Sequence, residues 1–336
     1  MIAGTQYLEG TQGPYRNLVD YILGITHEIW ESRQIERIHA YYHPDTLIYT
    51  LGGLVRGSEA IVRNTRDTLK AFPDRLLIGD SVIWSRDGTG IFYSSHRITS
   101  PMTNRGDSAF GPATGKSVIV STIADCVVEN GVITREWLVR DNYGLVRQLG
   151  LDARGIAKTS AAIPQAQEHA AWMSAERERL GKSSATRGQR TAAFSDDRAP
   201  EFADSVLQNC WARGDESLFD CHYTPYAVLH NSRPVASGRT AIREHYGALR
   251  QSFSEVSLSC DHVCFRPCDQ DSRDVAVRWT LAARHTGDAW GVPASGKPIL
   301  ILGVTHWRII GGRIASEWTI YDRLAVLTQL YRAGSC

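Results

Sequence analysis

The chain has almost no net charge, with 37 Lys and Arg set against 36 Asp and Glu. It has no long basic run either, which argues against nucleic acid or an anionic membrane as a main partner. No window approaches the ~20 apolar residues that a membrane helix needs. Residues 1–17 carry no basic stretch followed by an apolar one, so no secretory leader is expected. Seven cysteines, an odd number, then fit reduced thiols in a cytoplasmic protein. Also missing are a Gly-rich phosphate loop after a strand, a G-x-S-x-G turn and an H-E-x-x-H pair. Chemistry without cofactor or metal is the default expectation.

What the chain does have is a repeat. Trp30 recurs as Trp211, Pro44 as Pro225, Gly57 as Gly238 and Phe72 as Phe253. Pro112 to Lys116 returns as Pro293 to Lys297, Glu136-Trp137 as Glu317-Trp318, Asp141 as Asp322, and Gln148-Leu149 as Gln329-Leu330. The offset is 181 residues throughout, with no gap from Trp30 to Leu149. A constant offset over that span makes the chain a tandem duplication of one small domain. Cys260, Cys264 and Cys268 are regularly spaced, with His262 between the first two. On an extended segment, residues four apart lie roughly 13 Å from each other, too far for one ion. The first copy has Gly79, Ile83 and Asp87 at the matching positions, so buried or edge thiols are expected instead.

Each copy reads as helices followed by strands. Residues 14–31 place apolar side chains at helical spacing. A short helix is expected near 34–41, ended by Pro44-Asp45, then a strand at 47–51. Ser58 is expected to cap a helix over 59–72. Four β-rich segments follow, at 75–84, 90–100, 116–128 and 132–141, and Asn130-Gly131 joins the last two as a hairpin. Gly311-Gly312 does the same in the second copy. The predicted domains are 1–150 and 199–336. Between them, 151–198 holds an extra amphipathic helix near 164–180, read as a packing strut, and a flexible Ser/Thr/Gly-rich linker at 181–197.

The segments His43-Pro44-Asp45, Gly57-Ser58-Glu59-Ala60-Ile61, Phe72-Pro73-Asp74, Pro112 to Lys116, Asn130-Gly131-Val132-Ile133, Glu136-Trp137, Asp141 and Arg147 to Gly150, in that order, resemble the SnoaL-like polyketide cyclase family of the nuclear transport factor 2-like superfamily. The resemblance implies an α+β fold: two tandem cone-shaped barrels, each with N-terminal helices and a strongly bent antiparallel sheet. It also implies sheet-to-sheet packing as an internal pseudo-dimer, with further homo-oligomers open. It places an acid/base aspartate one residue after the Trp of the last strand, where this chain has Leu138 and Thr319. The base of ketosteroid isomerase would fall near Thr50 or Asn231, and that carboxylate is missing too.

The remaining polar groups in apolar strands are the candidates. Tyr49 and His230 match each other on the first strand and, if it lines the pocket, are proton-transfer candidates with His96 and Tyr321. Arg97 and Arg278, kept in both copies, could bind a substrate carboxylate or phenolate, or pair structurally with Asp141 and Asp322. Glu136 and Glu317 share strand parity with Leu138 and Thr319 and are possible replacement carboxylates. Trp307, Thr319 and Arg140 complete the expected substrate-binding set. His230, Arg278, Tyr321 and Glu317 tip the balance narrowly toward the second half as the active one. The expected activity is cofactor-independent acid/base chemistry of lyase or isomerase type: aldol or retro-aldol reaction, dehydration or cyclisation. The expected substrate is a small hydrophobic or aromatic hydroxy-carbonyl or phenolic compound, which nine tryptophans and thirteen tyrosines suit. The alternatives are a non-catalytic binding or scaffold protein of the same fold and an epoxide-hydrolase-like enzyme.

Overall fold

The computed structural model describes residues 15–182, 191, 193–231 and 234–333. The 181–197 segment read as a linker lies largely outside them. The chain divides into two compact units, Met1–Ala153 and Arg154–Cys336.

In the first unit, α1 (Leu18–Thr26) runs into a π-helical turn at His27–Glu31 and a short α2 (Ile38–Tyr41). Then come β1 (Tyr42–Thr50), β2 (Gly53–Arg56), α3 (Ser58–Ala71), β3 (Ile78–Gly88), β4 (Ile91–Thr103), β5 (Ser117–Glu129), β6 (Val132–Arg140) and α4 (Asn142–Gln148). The six strands lie in the order β2-β1-β6-β5-β4-β3. All neighbours are antiparallel except β1 and β6, so the sheet is mixed rather than wholly antiparallel. A parallel pair needs a long crossover, and α3 with the β3–β5 meander supplies it.

The second unit begins with α5 (Ala153–Ala162) and α6 (Gln167–Lys182), of which only the latter falls where an extra helix is expected. It then repeats the plan with α7 (Ala199–Ser205), a π-helical turn at Val206–Arg213, α8 (Glu216–His222), β7 (Tyr223–His230), β8 (Pro234–Ser237), α9 (Arg239–Ser252), β9 (Phe253–Pro267), β10 (Ser272–His285), β11 (Pro298–Ile310), β12 (Arg313–Tyr321) and α10 (Arg323–Tyr331). The strand order is again β8-β7-β12-β11-β10-β9, with β7 and β12 parallel. No helix among the described residues is long and apolar enough to cross a membrane.

Local chemistry sets these elements. On α1, Leu18, Tyr21, Ile22 and Ile25 are buried at one-face spacing, and Asn17 caps the helix by accepting from the Asp20 amide at 2.9 Å. Gly57, not Ser58, precedes α3; its φ of +82° is a conformation open to glycine, and a Cβ there would lie 2.8 Å from the Pro44 carbonyl. Pro44 sits inside β1 rather than ending a helix, at the point where the β1–β6 register breaks between Tyr42 and Leu47. Asn130-Gly131 and Gly311-Gly312 all have positive φ, as a tight two-residue hairpin demands.

Asp141 and Asp322 cap α4 and α10 by accepting from the Gly144 and Ala325 amides at 2.9 and 3.0 Å. Asp141→Ala and Asp322→Ala should each cost about 1 kcal/mol in urea unfolding, and Asn at either place should restore most of it.

Candidate active site

The face of the first sheet that meets α1 and α3 is lined by alternate residues of each strand. The strand pairings put His96, Ala124 and Leu138 in one row across β4, β5 and β6, Ile98, Thr122 and Arg140 in the next, and Cys126, Glu136 and Ile48 on the other side. These nine side chains, with Ile22, Ile25 and Trp30 from the helical entry, Thr50 from β1, Thr65 from α3 and Arg75 from the turn after it, surround a cavity of about 260 Å³. The π-helical turn carries Trp30 into that wall.

Glu136 is the carboxylate inside this cavity. It is 4 % exposed. Tyr42 donates to its Oε2 at 3.0 Å, and among the described residues no other hydrogen bond reaches it. Burial pushes its carboxyl up to about 7, against the pull of Tyr42 and of the positive charge of Arg140. His96 is buried and carries no hydrogen bond on Nε2, and burial pulls its imidazole down to about 4, so it is neutral at neutral pH. Arg75 donates from Nε to Ser100 Oγ at 3.0 Å and lies over the Trp30 ring, 4.7 Å from its centroid. Burial, with Arg140 second, lowers its guanidinium to about 9.

The second unit keeps the carboxylate and loses the cavity. Trp307, Tyr246 and Trp279 stand where the first unit has Cys126, Thr65 and Ile98. They pack with Trp211: Trp211 stacks on Tyr246 at 4.5 Å between centroids and meets Trp279 and Trp307 edge-on. About 70 Å³ remains. Glu317, fully buried, receives hydrogen bonds from Tyr223 at 2.6 Å, Thr319 at 2.7 Å, Trp307 at 3.3 Å and Tyr246. Burial raises its carboxyl too, against these four donors. Val256, Val277 and Tyr321 replace Arg75, His96 and Arg140.

The expected site residues therefore separate. Glu136, His96 and Arg140 share the first cavity, while Tyr321 and Thr319 border the small second one and Glu317 and Trp307 are packed behind it. Tyr49 and His230 are corrections: neither borders its cavity. Tyr49 alternates with the cavity residues Ile48 and Thr50 and stacks on Trp137 at 5.5 Å, and His230 stacks on Trp318 at 5.0 Å. Arg97 and Arg278 alternate with the cavity-facing rows and border neither space. Arg97 faces Asp80 at 3.7 Å, and Asp141 caps α4. The half narrowly preferred from sequence, the second, has the smaller cavity, since it is filled by its own aromatic rings. Arg75 and Tyr42 are cavity residues that pattern reading misses. The signal for Arg75 was its replacement by Val256 in the other copy.

Comparison with solved structures finds TsrD from Streptomyces laurentii at 21 % identity, covering 42 % of this chain and 99 % of that one, with a TM-score of 0.36. IdmH from Streptomyces antibioticus matches at 21 % identity over 40 % of this chain and 98 % of its own, with a TM-score of 0.35. A SnoaL-like polyketide cyclase from Agrobacterium tumefaciens matches at 17 % identity over 40 % of this chain and 98 % of its own, with a TM-score of 0.34. None of the curated proteins compared with the chain matches it. The family model for SnoaL-like polyketide cyclases matches residues 21–149 and again residues 202–330. With one match on each six-stranded unit and most of the sequence covered, the chain belongs to the SnoaL-like polyketide cyclase family and contains its domain twice.

Proposed function

We propose that the first domain is a cofactor-independent acid/base enzyme of lyase or isomerase type acting on a small aromatic or polyketide-like carbonyl compound, and that the second domain is not catalytic. One observation carries the reading: Glu136 lies inside a cavity with a single hydrogen bond, and burial brings its carboxyl to about 7. A base is most useful when its pKa lies near the working pH.

Ionised Glu136 takes the proton from the carbon beside a bound carbonyl, and the electron pair moves onto the carbonyl oxygen as an enolate. The guanidinium charges of Arg75 and Arg140 favour the developing anion, and His96, neutral at this pH, borders the same cavity without adding a charge to it. The proton then returns from Glu136 to the product. Aldol cyclisation, its reverse, dehydration and isomerisation all pass through this intermediate. Glu136 lies two residues along β6 from Leu138, the position at which the family resemblance implies an aspartate. A carboxylate on the same face of the same strand can serve in its place.

The proton transfer can be read without knowing the product. With a panel of aryl ketones in D₂O, proton NMR should show deuterium entering beside the carbonyl, and Glu136→Gln should slow this by ~10²–10⁴-fold. Glu317→Gln should leave the exchange rate as it was. Exchange that survives Glu136→Gln would rule out Glu136 as the base.

The rate should rise with pH through about 7 as Glu136 ionises and then level off, and His96→Gln should leave that limb in place because His96 titrates near 4. Stability should move the opposite way. A carboxyl raised from 4.5 to about 7 by folding contributes stability that is fully present below 4.5 and is lost as pH rises through 7. Chemical denaturation across that window should show a decline that Glu136→Gln flattens.

A further inference from the structure

Arg75 is a buried cation without an acid. It is 4 % exposed, and among the described residues no carboxylate pairs with it. Ser100 takes its Nε and Trp30 covers one face, and among the described residues no hydrogen bond is made by the two terminal nitrogens. The charge that most affects it is another cation, Arg140. Burying a guanidinium costs several kcal/mol unless something of opposite sign compensates it. Glu136 does not fill that role, since its charge interaction is with Arg140 and it is half protonated near pH 7.

The position of the two arginines is specific. Arg75, Arg140, Asn64 and Thr68 border both the inner cavity and an outer cleft of about 580 Å³. They form the neck between the two spaces. In the outer cleft, Lys70 is paired with Asp67 at 3.2 Å and Asp107 lies nearby, so the other cations on that lining, Arg75 and Arg140, are the two at the neck. The second domain, whose cavity is filled, has Val256 and Tyr321 at the two arginine positions and Leu281 where Ser100 holds Arg75. A fold that needed these groups as scaffold would have kept them in both copies. They are present with the cavity and absent without it.

We infer that the first domain takes an organic acid, an aromatic or alicyclic carboxylate whose anionic group is held by Arg75 and Arg140 at the neck while its carbonyl-bearing part reaches inward to Glu136. A planar guanidinium with both terminal nitrogens unused matches a carboxylate bidentately. The wall beyond the neck, made of Ile25, Ile29, Ile38, Ile98 and Trp30, matches the apolar body. The inference rests on the proposed site but not on turnover there.

Binding of matched pairs tests it: benzoate, cinnamate and naphthoate against benzamide, cinnamamide and naphthamide. The readouts are calorimetry and tryptophan fluorescence, which Trp30 beneath Arg75 should report. At least one acid should bind about tenfold or more tighter than its amide, a difference of ~1.4 kcal/mol. Arg75→Met should erase the preference, Arg75→Lys should restore part of it, and Glu136→Gln should keep it. Should Arg75→Met fail to fold, Arg140→Tyr, which copies the second domain, should weaken the preference in its place. Amides that bind as tightly as every acid in the unaltered chain, or a preference untouched in folded arginine variants, would overturn the inference. Acids bound selectively with no ketone exchanged would leave it standing and remove the proposed catalysis; ketones exchanged with no acid preference would do the reverse.

Discussion

Everything in this molecule turns on the volume between a six-stranded sheet and the helices laid across it. The backbone plan, repeated in both domains, fixes that volume, and the side chains must then fill it or leave it to something else. The second domain fills it. Trp307, Tyr246 and Trp279, at positions held by smaller groups in the first domain, reduce about 260 Å³ to about 70 Å³. At ~24 cal/mol per Å³ of apolar cavity, the difference is on the order of a few kcal/mol. The first domain forgoes that stabilisation and keeps polar groups in the space.

The same constraint gives one glutamate two fates. Glu136 and Glu317 occupy the same register, opposite Cys126 and Trp307. In the filled domain four donors converge on the carboxylate and tie α9, β7, β11 and β12 together through it. In the open domain Tyr42 remains, and among the described residues the counterparts of Trp307 and Tyr246 do not donate to the carboxyl. Desolvation acts on both, but only one faces space in which a substrate could stand.

The duplication made the fold legible, because an unbroken offset marked two copies, each with its hairpin and with helices first and strands after, though not the parallel pairing of first and last long strands. Strand parity also put Glu136 on the face of Leu138. It did not settle the first strand: sliding a strand by one residue exchanges its two faces, and nothing near Tyr49 fixes which way it points until Trp137 is found beside it. Arg75 lies in a turn without periodicity, so only the contrast with Val256 could reveal it. Counting polar residues favoured the second half, because polarity in a sequence says nothing of volume. His230 and Arg278 counted toward that half while facing away from its core, and its tryptophans read as a ligand's surroundings when they are the filling.

One consequence follows from carrying both domains on a single chain. In an assembly of identical subunits, every substitution is present in every copy, so a bulky residue that closes one cavity closes all of them. Here the two halves have drifted independently. A tryptophan stands at 307 and a cysteine at 126, a valine at 256 and an arginine at 75. Covalent linkage removes the demand that what fills one half must also fill the other.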